Sequence, residues 1–279
     1  MKTKKISFGV FTDLHYSDRG NDGTRFFQQS LAKLKLCVDY FLERQVDFMV
    51  CLGDLIDRDT EAGGRGARLD DLGAVIKNAR IPFHLVLGNH DVAAGPYREL
   101  LRKFAAEPME QTGPAAGAGY RSFELGGLHF VILDTNYSKD GLHYESNTIK
   151  WDSLHIDRVQ LDWLETDLRL SRLPAVVLTH GNLDFRSRGQ GLDPHIVKNY
   201  LEVQDILERS GKVGLVLQGH CHAGACSRQR GIPFVTLRAL VDGAGPAPVL
   251  VVTYDGSGTF QLDYADAARA KAGRRALEL

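Results

Sequence analysis

Through the first half of the chain, short apolar blocks alternate with longer amphipathic ones. Ile6 to Thr12 is a β-rich block. Phe26 to Arg44 carries Phe27, Leu31, Leu34, Val38, Phe41 and Leu42 at helical spacing. Phe48 to Leu52 is a second apolar block, closed by Gly53, and a Gly-rich, charged loop follows from Asp57 to Arg68. Leu69 to Asn78 predicts a helix, and Phe83 to Leu87 a third strand closed by Gly88. This alternation predicts a largely parallel sheet with crossover helices. Tyr120–Glu124 and Leu128–Leu133 flank Gly126-Gly127 and predict a hairpin. Asp134 to His155 is a long polar loop. Helices are expected over Ile156–Leu170 and Ile196–Ser210, and strands over Ala175–Thr179 and Val213–Gln218. From Ala223 onward the pattern turns to short β runs, with a turn at Asp255-Gly256-Ser257-Gly258. The Ala/Arg-rich end from Ala265 reads as a short helix or a frayed tail. With no repeat and no low-complexity linker, residues 1–264 are expected to form one domain and 265–279 a tail.

Composition removes several classes of protein. Hydrophobic residues make up 43% and charged residues 25%, which excludes disorder, a collagen-like fibre and a disulfide scaffold. There are 34 Lys and Arg against 35 Asp and Glu, so a net charge of -1 argues against a strongly basic nucleic-acid binder. Cys37, Cys51, Cys221 and Cys226 form no C-x-x-C pair and suit a reducing cytoplasm. The charged start Met1–Lys5 looks like the head of a signal peptide, but the apolar stretch after it is short and lacks a small-residue cleavage site. No apolar run approaches the ~20 residues that span a bilayer.

The unusual count is ten histidines. Several sit directly after β-like runs: Asp13-Leu14-His15, Gly53-Asp54, Gly88-Asn89-His90-Asp91, His180, and Gly219-His220-Cys221-His222. In parallel sheets, functional residues gather in loops at the carboxyl ends of strands. Two carboxylates, an Asn carbonyl and up to five imidazoles without an obligatory thiolate suit divalent Mn, Fe, Zn or Co. If locally extended, the x-y-x pairs Asp13/His15 and His220/His222 point the same way, and Cys221 points away from them. Gly53, Gly88 and Gly219 precede candidate ligands, where a small residue lets the backbone turn sharply. A lone D-x-H or G-D occurs often by chance and a lone G-H-x-H could be a surface loop; G-N-H-D is more specific, and the five in order, each at a strand end, are highly specific.

This set resembles the calcineurin-like metallophosphoesterase superfamily, whose pattern is D-x-H, G-D, G-N-H-[DE], a further His and G-H-x-H. The resemblance spans residues 13 to 222. It implies a four-layer α/β/β/α sandwich with a two-metal site at the strand ends. It also implies that Asp13, His15 and His222 hold one metal, that Asn89, His180 and His220 hold the other, and that Asp54 bridges them. His90 would contact the substrate phosphate or protonate the leaving oxygen, with Asp91 orienting it. One departure is visible: a Pro commonly stands two positions after the isolated His, and this chain has His180-Gly181-Asn182.

Two metals about 3.5–4 Å apart clamp the attacking and departing oxygens of an in-line displacement and lower the pKa of a bridging water. The expected substrate is a phosphodiester or a nucleotide diphosphate. The layout after His222 is similar to manganese-dependent ADP-ribose/CDP-alcohol diphosphatases; class III cyclic-nucleotide phosphodiesterases are the alternative. A non-catalytic metal-bound scaffold is the alternative of another class, and a DNA exonuclease lacks an evident basic stripe. Arg19 and Tyr16, after the first ligand loop, and Tyr144 and Trp151, in the 136–155 segment, are candidate substrate contacts. That segment reads equally as a lid or as a loop packed on the body. His84 and His129, inside β runs, read as satisfied structural histidines, and His195 as a solvated or capping one.

Overall fold

The computed structural model describes residues 5–60, 63–104, 111–112, 118–188, 191–269 and 275–278. In chain order its elements are β1 (Ile6–Phe11), α1 (Ser30–Glu43), β2 (Phe48–Cys51), α2 (Arg65–Asn78), β3 (Phe83–Leu85), α3 (Asn89–Ala93), α4 (Tyr97–Lys103) and β4 (Gln111–Thr112). There follow β5 (Arg121–Leu125), β6 (Leu128–Ile132), α5 (Arg158–Leu170), β7 (Ala175–Thr179), β8 (Ser187–Arg188), β9 (Gly191–Leu192), α6 (Tyr200–Ser210) and β10 (Val213–Gln218). β11 (Ala225–Gln229), β12 (Ile232–Thr236), β13 (Pro248–Tyr254), β14 (Phe260–Asp266) and β15 (Arg275–Glu278) complete the chain.

Two mixed sheets carry the fold. One has the order β15-β14-β13-β1-β2-β3 and the other β11-β12-β10-β7-β6-β5-β4. In the first, β1, β2 and β3 run parallel, with Val10 opposite Val50 and Val50 opposite His84. In the second, β6, β7, β10 and β12 run parallel. Side chains alternate across each strand. Phe8, Val10, Phe48 and Val50 therefore meet Phe130, Ile132, Val176 and Leu178 between the sheets. Phe8 stacks on Phe48 at 4.9 Å and meets Phe130 edge-on at 5.3 Å. The opposite faces pack on helices: Phe41 of α1 lies against Phe11, and Leu161, Leu164 and Leu207 join Val131 and Val177 in the outer core. The result is the four-layer α/β/β/α sandwich.

One expectation changes, and the reading of the chain start as a strand stands. The boundary at Ala265 falls inside β14, and residues 275–278 pair with it, Tyr264 opposite Arg275. Backbone pairing makes that edge, so an Ala/Arg composition does not announce it. Met1–Lys4, the head of the signal-peptide look-alike, lie outside the described residues, and the short apolar stretch after them is the strand β1. No helix among the described residues is long and apolar enough to cross a membrane.

Candidate metal centre

The carboxyl ends of β1, β2, β3, β7 and β10 all face one rim, and each delivers a histidine, aspartate or asparagine there. The local backbone is not extended. Asp13, His15, Asp54 and His220 all have positive φ, at 54°, 50°, 54° and 68°. Non-glycine residues adopt this left-handed conformation at a cost and concentrate at functional sites. Asp13 and His15 are brought together by that sharp turn, with Leu14 buried between them, rather than by an extended x-y-x repeat. Asp13 N donates to Gly53 O at 3.0 Å and His15 N to Asp54 O at 2.8 Å, so the first two ligand loops are laced together.

Among the described residues four groups of ligand atoms converge, including His15 with Asp54 and His90, and Asp193 with His195 and Cys221; the other two are built from the expected ligands alone. Asp13, His15 and His222 form one, with His15 Nε2 3.3 Å from His222 Nε2 and Asp13 Oδ1 3.6 Å from His222 Nε2. Asp54, His180 and His220 form the other, and Asn89 Oδ1 lies 3.1 Å from His180 Nε2. Asp54 stands between them: its Oδ2 is 3.2 Å from His180 Nε2 and 3.6 Å from His15 Nε2.

The outward ring nitrogens are anchored, which turns Nε2 inward. His15 Nδ1 meets Asp57 Oδ2 at 3.1 Å, His222 Nδ1 meets Asp242 Oδ2 at 3.2 Å, and His180 Nδ1 meets Leu52 O at 2.8 Å. Asp13 Oδ2 accepts from Thr12 Oγ1 and from His220 N, at 2.7 and 3.2 Å. Its Oδ1, and Nε2 of His220, are buried with no hydrogen-bond partner among the described residues. Buried orphans of this kind call for a further group, a water or an ion. Burial opposes protonation of His15 and His180, yet Asp13, Asp57 and Asp54 push them up to about 10 and about 9. Burial and the His180 charge drive His220 well below its ordinary value. A pocket of buried carboxylates that draws positive charge, with unpaired O and N atoms aimed inward, fits divalent ions.

His90 stands beside this cluster, a quarter exposed, its ring 4.5 Å from that of His15. Its carboxylate partner is Asp57, not Asp91. His90 Nδ1 lies 2.9 Å from Asp57 Oδ1, a close charge contact rather than an aligned hydrogen bond. Asp91 instead accepts from the backbone N–H groups of Asp54, Ile56 and Gly88 at 2.9–3.0 Å. A carboxylate one position along a helix points away from its neighbour, which is why Asp91 turns inward. Burial and the Asp54 charge push Asp91 up to about 7. Burial alone would raise Asp57 as well, but His15 and His90 hold it well below the usual carboxylate range.

The candidate substrate contacts divide. Arg19 reaches Asp57 Oδ2 at 3.6 Å and lies over Phe27. Trp151 is half-exposed, edge-on to His220 at 6.1 Å. Tyr16 turns to α2, donating to Asp71 Oδ2 at 2.8 Å, and Tyr144 is buried and donates to Ser153 O. In the 136–155 segment, His143 stacks on Tyr97 and pairs with Asp134, which anchors part of the loop to the body, while Lys139–Leu142 and Lys150–Asp152 are exposed and Trp151 reaches the rim.

Other residues were not legible beforehand. Asp57 and Asp242 back two histidines. His195 is bound to Asp193 at 2.6 Å and packs 4.9 Å from the His220 ring, instead of standing in solvent. Its only local signal is the Asp two positions earlier. Asn182 takes up the departure noted after His180: its Nδ2 donates to Gly219 O at 2.9 Å and ties that loop to the His220 loop. His129 is satisfied at one nitrogen only: Nε2 meets Asp167 Oδ2 at 2.7 Å, while Nδ1 is buried with no hydrogen-bond partner among the described residues. His84 is not satisfied among the described residues: both ring nitrogens lack a hydrogen-bond partner there, and the ring stacks on Phe123 at 4.1 Å.

Fold and site together define a two-metal hydrolase of phosphate esters. Residues 6–224 match the model of the calcineurin-like phosphoesterase family, and the chain belongs to that family. It is 27% identical over 259 residues to the human serine/threonine-protein phosphatase CPPED1, covering 88% of this chain and 77% of that one. It is 24% identical over 222 residues to a 3′,5′-cyclic-nucleotide phosphodiesterase from Nostoc sp., covering 78% and 71%. Among solved structures, a dimetal phosphatase from Danio rerio superposes with a TM-score of 0.73 at 18% identity, covering 98% of each chain. Enzymes of this kind use two divalent metal ions.

Proposed function

We propose that the protein hydrolyses a small phosphodiester or nucleotide diphosphate, of the ADP-ribose or CDP-alcohol type, at the Asp54 centre. The observation that carries this is Asp54 Oδ2 standing between His15 Nε2 and His180 Nε2, with Asp13 Oδ1 and His220 Nε2 orphaned around it. Asp13, His15 and His222 would hold one ion, Asn89, His180 and His220 the other, and Asp54 both. Two bound ions supply Lewis acidity that activates water and stabilises charge on the phosphoryl oxygens. His90, exposed at the rim and paired with Asp57, binds the phosphate or gives a proton to the departing oxygen. Asp91 holds the Asp54 loop by its backbone. Arg19 adds a cation at the Asp57 side. Trp151 and His195, with ring centroids 5.4 Å apart, form an aromatic wall suited to a base. Exposed Cys226 and half-buried Cys221 are free thiols, which suits a reducing cytoplasm.

Metal analysis should give close to two ions per chain, and Asp54→Ala should abolish hydrolysis of bis-p-nitrophenyl phosphate. A metal-loaded protein that cleaves no phosphate ester or anhydride refutes the proposal. The Nostoc relative favours cyclic nucleotides as a second reading. A panel of ADP-ribose, CDP-alcohols, cyclic AMP and a simple monoester, with manganese loaded, separates the two by kcat/KM.

A further inference from the structure

Beside His222 lies a cavity of about 720 Å³, walled by Thr24, Phe26, Pro246, Tyr264 and Arg238. Ligand pockets run from roughly 300 to 1,000 Å³, so this one has room for a nucleotide-sized organic group. Its walls are held by the contacts that also hold His222. Ala239 N donates to His222 O at 3.1 Å, one residue along from Arg238. Phe26 N donates to Val241 O and Gly243 N to Thr24 O, both at 2.9 Å, closing the opposite side.

The charges inside the cavity are unequally occupied. Asp242 is engaged by His222 and by Thr24 Oγ1. Asp266 Oδ1 accepts from Ala247 N and Ala268 N at 2.8 and 3.1 Å. Arg238 is exposed, its stem lies against Gly224, and its guanidinium has no ion pair or hydrogen bond among the described residues. An unengaged guanidinium on an exposed residue that lines a cavity with aromatic and proline walls suits an organic group that carries an anion, because its planar fork matches phosphate and carboxylate oxygens.

We infer that this cavity is a subsite for the part of the substrate that bears a second anionic group, and that Arg238 is the residue selecting for it. The inference rests on the phosphohydrolase proposal above, which puts the scissile phosphorus at the Asp54 centre next door. It assigns the distal phosphate or carboxylate to Arg238 and the carbon skeleton to Phe26, Pro246 and Tyr264.

Calorimetric titration of the metal-loaded protein with ADP and, separately, with inorganic phosphate tests it. The unaltered protein should bind ADP at least ten-fold more tightly than phosphate. Arg238→Ala should cost ADP about ten-fold and phosphate no more than two-fold, and Arg238→Lys should restore part of the difference. Thr24→Trp, an exposed substitution at the mouth, should obstruct ADP in the same selective way. ADP binding no tighter than phosphate, unchanged by Arg238→Ala, or lost in step with phosphate, overturns the subsite. Hydrolysis of bis-p-nitrophenyl phosphate, which has a single phosphorus, is followed on the same samples. Its absence in the unaltered protein sinks the catalytic proposal; its presence without ADP selectivity sinks only the subsite.

Discussion

The Asp57 carboxylate lies 2.9 Å from Nδ1 of His90, and its second oxygen lies 3.1 Å from Nδ1 of His15. One buried carboxylate thus orients both the rim histidine and a candidate metal ligand. Partners of this kind fix ring orientation, and losing them costs roughly 10–100-fold. Asp57→Asn keeps the shape and removes the charge. We expect kcat for bis-p-nitrophenyl phosphate to fall by about that factor with metal content near two per chain. Asp91→Asn should behave differently, because it turns an amide N–H toward backbone donors that now meet a carboxylate. It should lower both Tm and metal content. If Asp91→Asn lowered kcat alone while Tm and metal content held, the adjacent aspartate would be the His90 partner after all.

Gly88 has an ordinary φ of -97°, so its requirement is one of space. A Cβ there would lie 2.1 Å from Asp54 Oδ1 and 2.2 Å from Asp54 N. Neither atom can give way without moving the carboxylate that stands between the two ligand groups. Gly88→Ala should therefore bind fewer than two metals and lose at least ~100-fold in activity while keeping its circular dichroism; one misplaced ångström at a reacting centre has that scale of cost. Gly73 in α2 is the control. A Cβ there meets only Lys103 Cε at 3.3 Å, the flexible end of a side chain. Gly73→Ala should keep full activity and gain up to about 1 kcal/mol from helix propensity. Full metal occupancy in Gly88→Ala would refute the spatial argument.

How much of the molecule was legible in the sequence depends on what each residue answers to. β7 and β10 are apolar runs, each closed by one polar residue (Thr179, Gln218) and flanked by parallel neighbours, and their bounds come straight from the pattern. Helix starts do not. α1 begins at Ser30 rather than Phe26, because Phe26 N bonds Val241 O and Phe27–Gln29 form a tighter 3-10 turn ahead of it. α6 begins at Tyr200 rather than Ile196, because residues 195–197 pair with Asn182 across the fold. α2 begins four residues early, at Arg65, in a polar first turn whose Arg65 and Arg68 reach Glu99 and Asp59. The candidate ligands were legible because each sits in a short motif behind a strand. Their backing groups were not. Asp57 meets His15 across 42 positions and Asp242 meets His222 across 20, distances that only the topology closes.

Lys33 is such a hidden group. It is buried in α1, and its Nζ donates to Leu240 O and Gly243 O at 2.7 Å and to Asp242 O at 3.2 Å. It gathers the loop that carries Asp242, the carboxylate behind His222. Burial lowers its pKa, and the Asp242 charge works against that. Lys33→Met keeps the stem and leaves these carbonyls unanswered. It should cost about 3 kcal/mol in urea unfolding, within the range for lost charged hydrogen bonds. It should also weaken metal binding at one of two sites, seen as a split in the titration curve. A stability loss with both sites unchanged would make Lys33 a scaffold residue only.

His84 is the clearest case of a buried polar group left unanswered. Both its nitrogens lack hydrogen-bond partners among the described residues, and its ring is stacked within 5° on Phe123. Burial, and then the Arg121 charge, push its pKa down to about 3. The folded protein therefore keeps His84 neutral where the unfolded chain, near 6.5, takes up a proton. As pH falls from 6.5 toward 3, this one group lowers stability by about 1.4 kcal/mol per pH unit. His84→Phe removes both the unpaired nitrogens and the titration, and it keeps a flat ring against Phe123. We expect a gain of about 1–3 kcal/mol at pH 7.5, the scale of one unsatisfied buried group. The gap between variant and unaltered protein should then widen at pH 6 and again at pH 5. Urea denaturation of the metal-free proteins at the three pH values measures it, since any titration shared by both cancels in the difference. A gap that stays constant with pH would mean that His84 takes up its proton in the folded state.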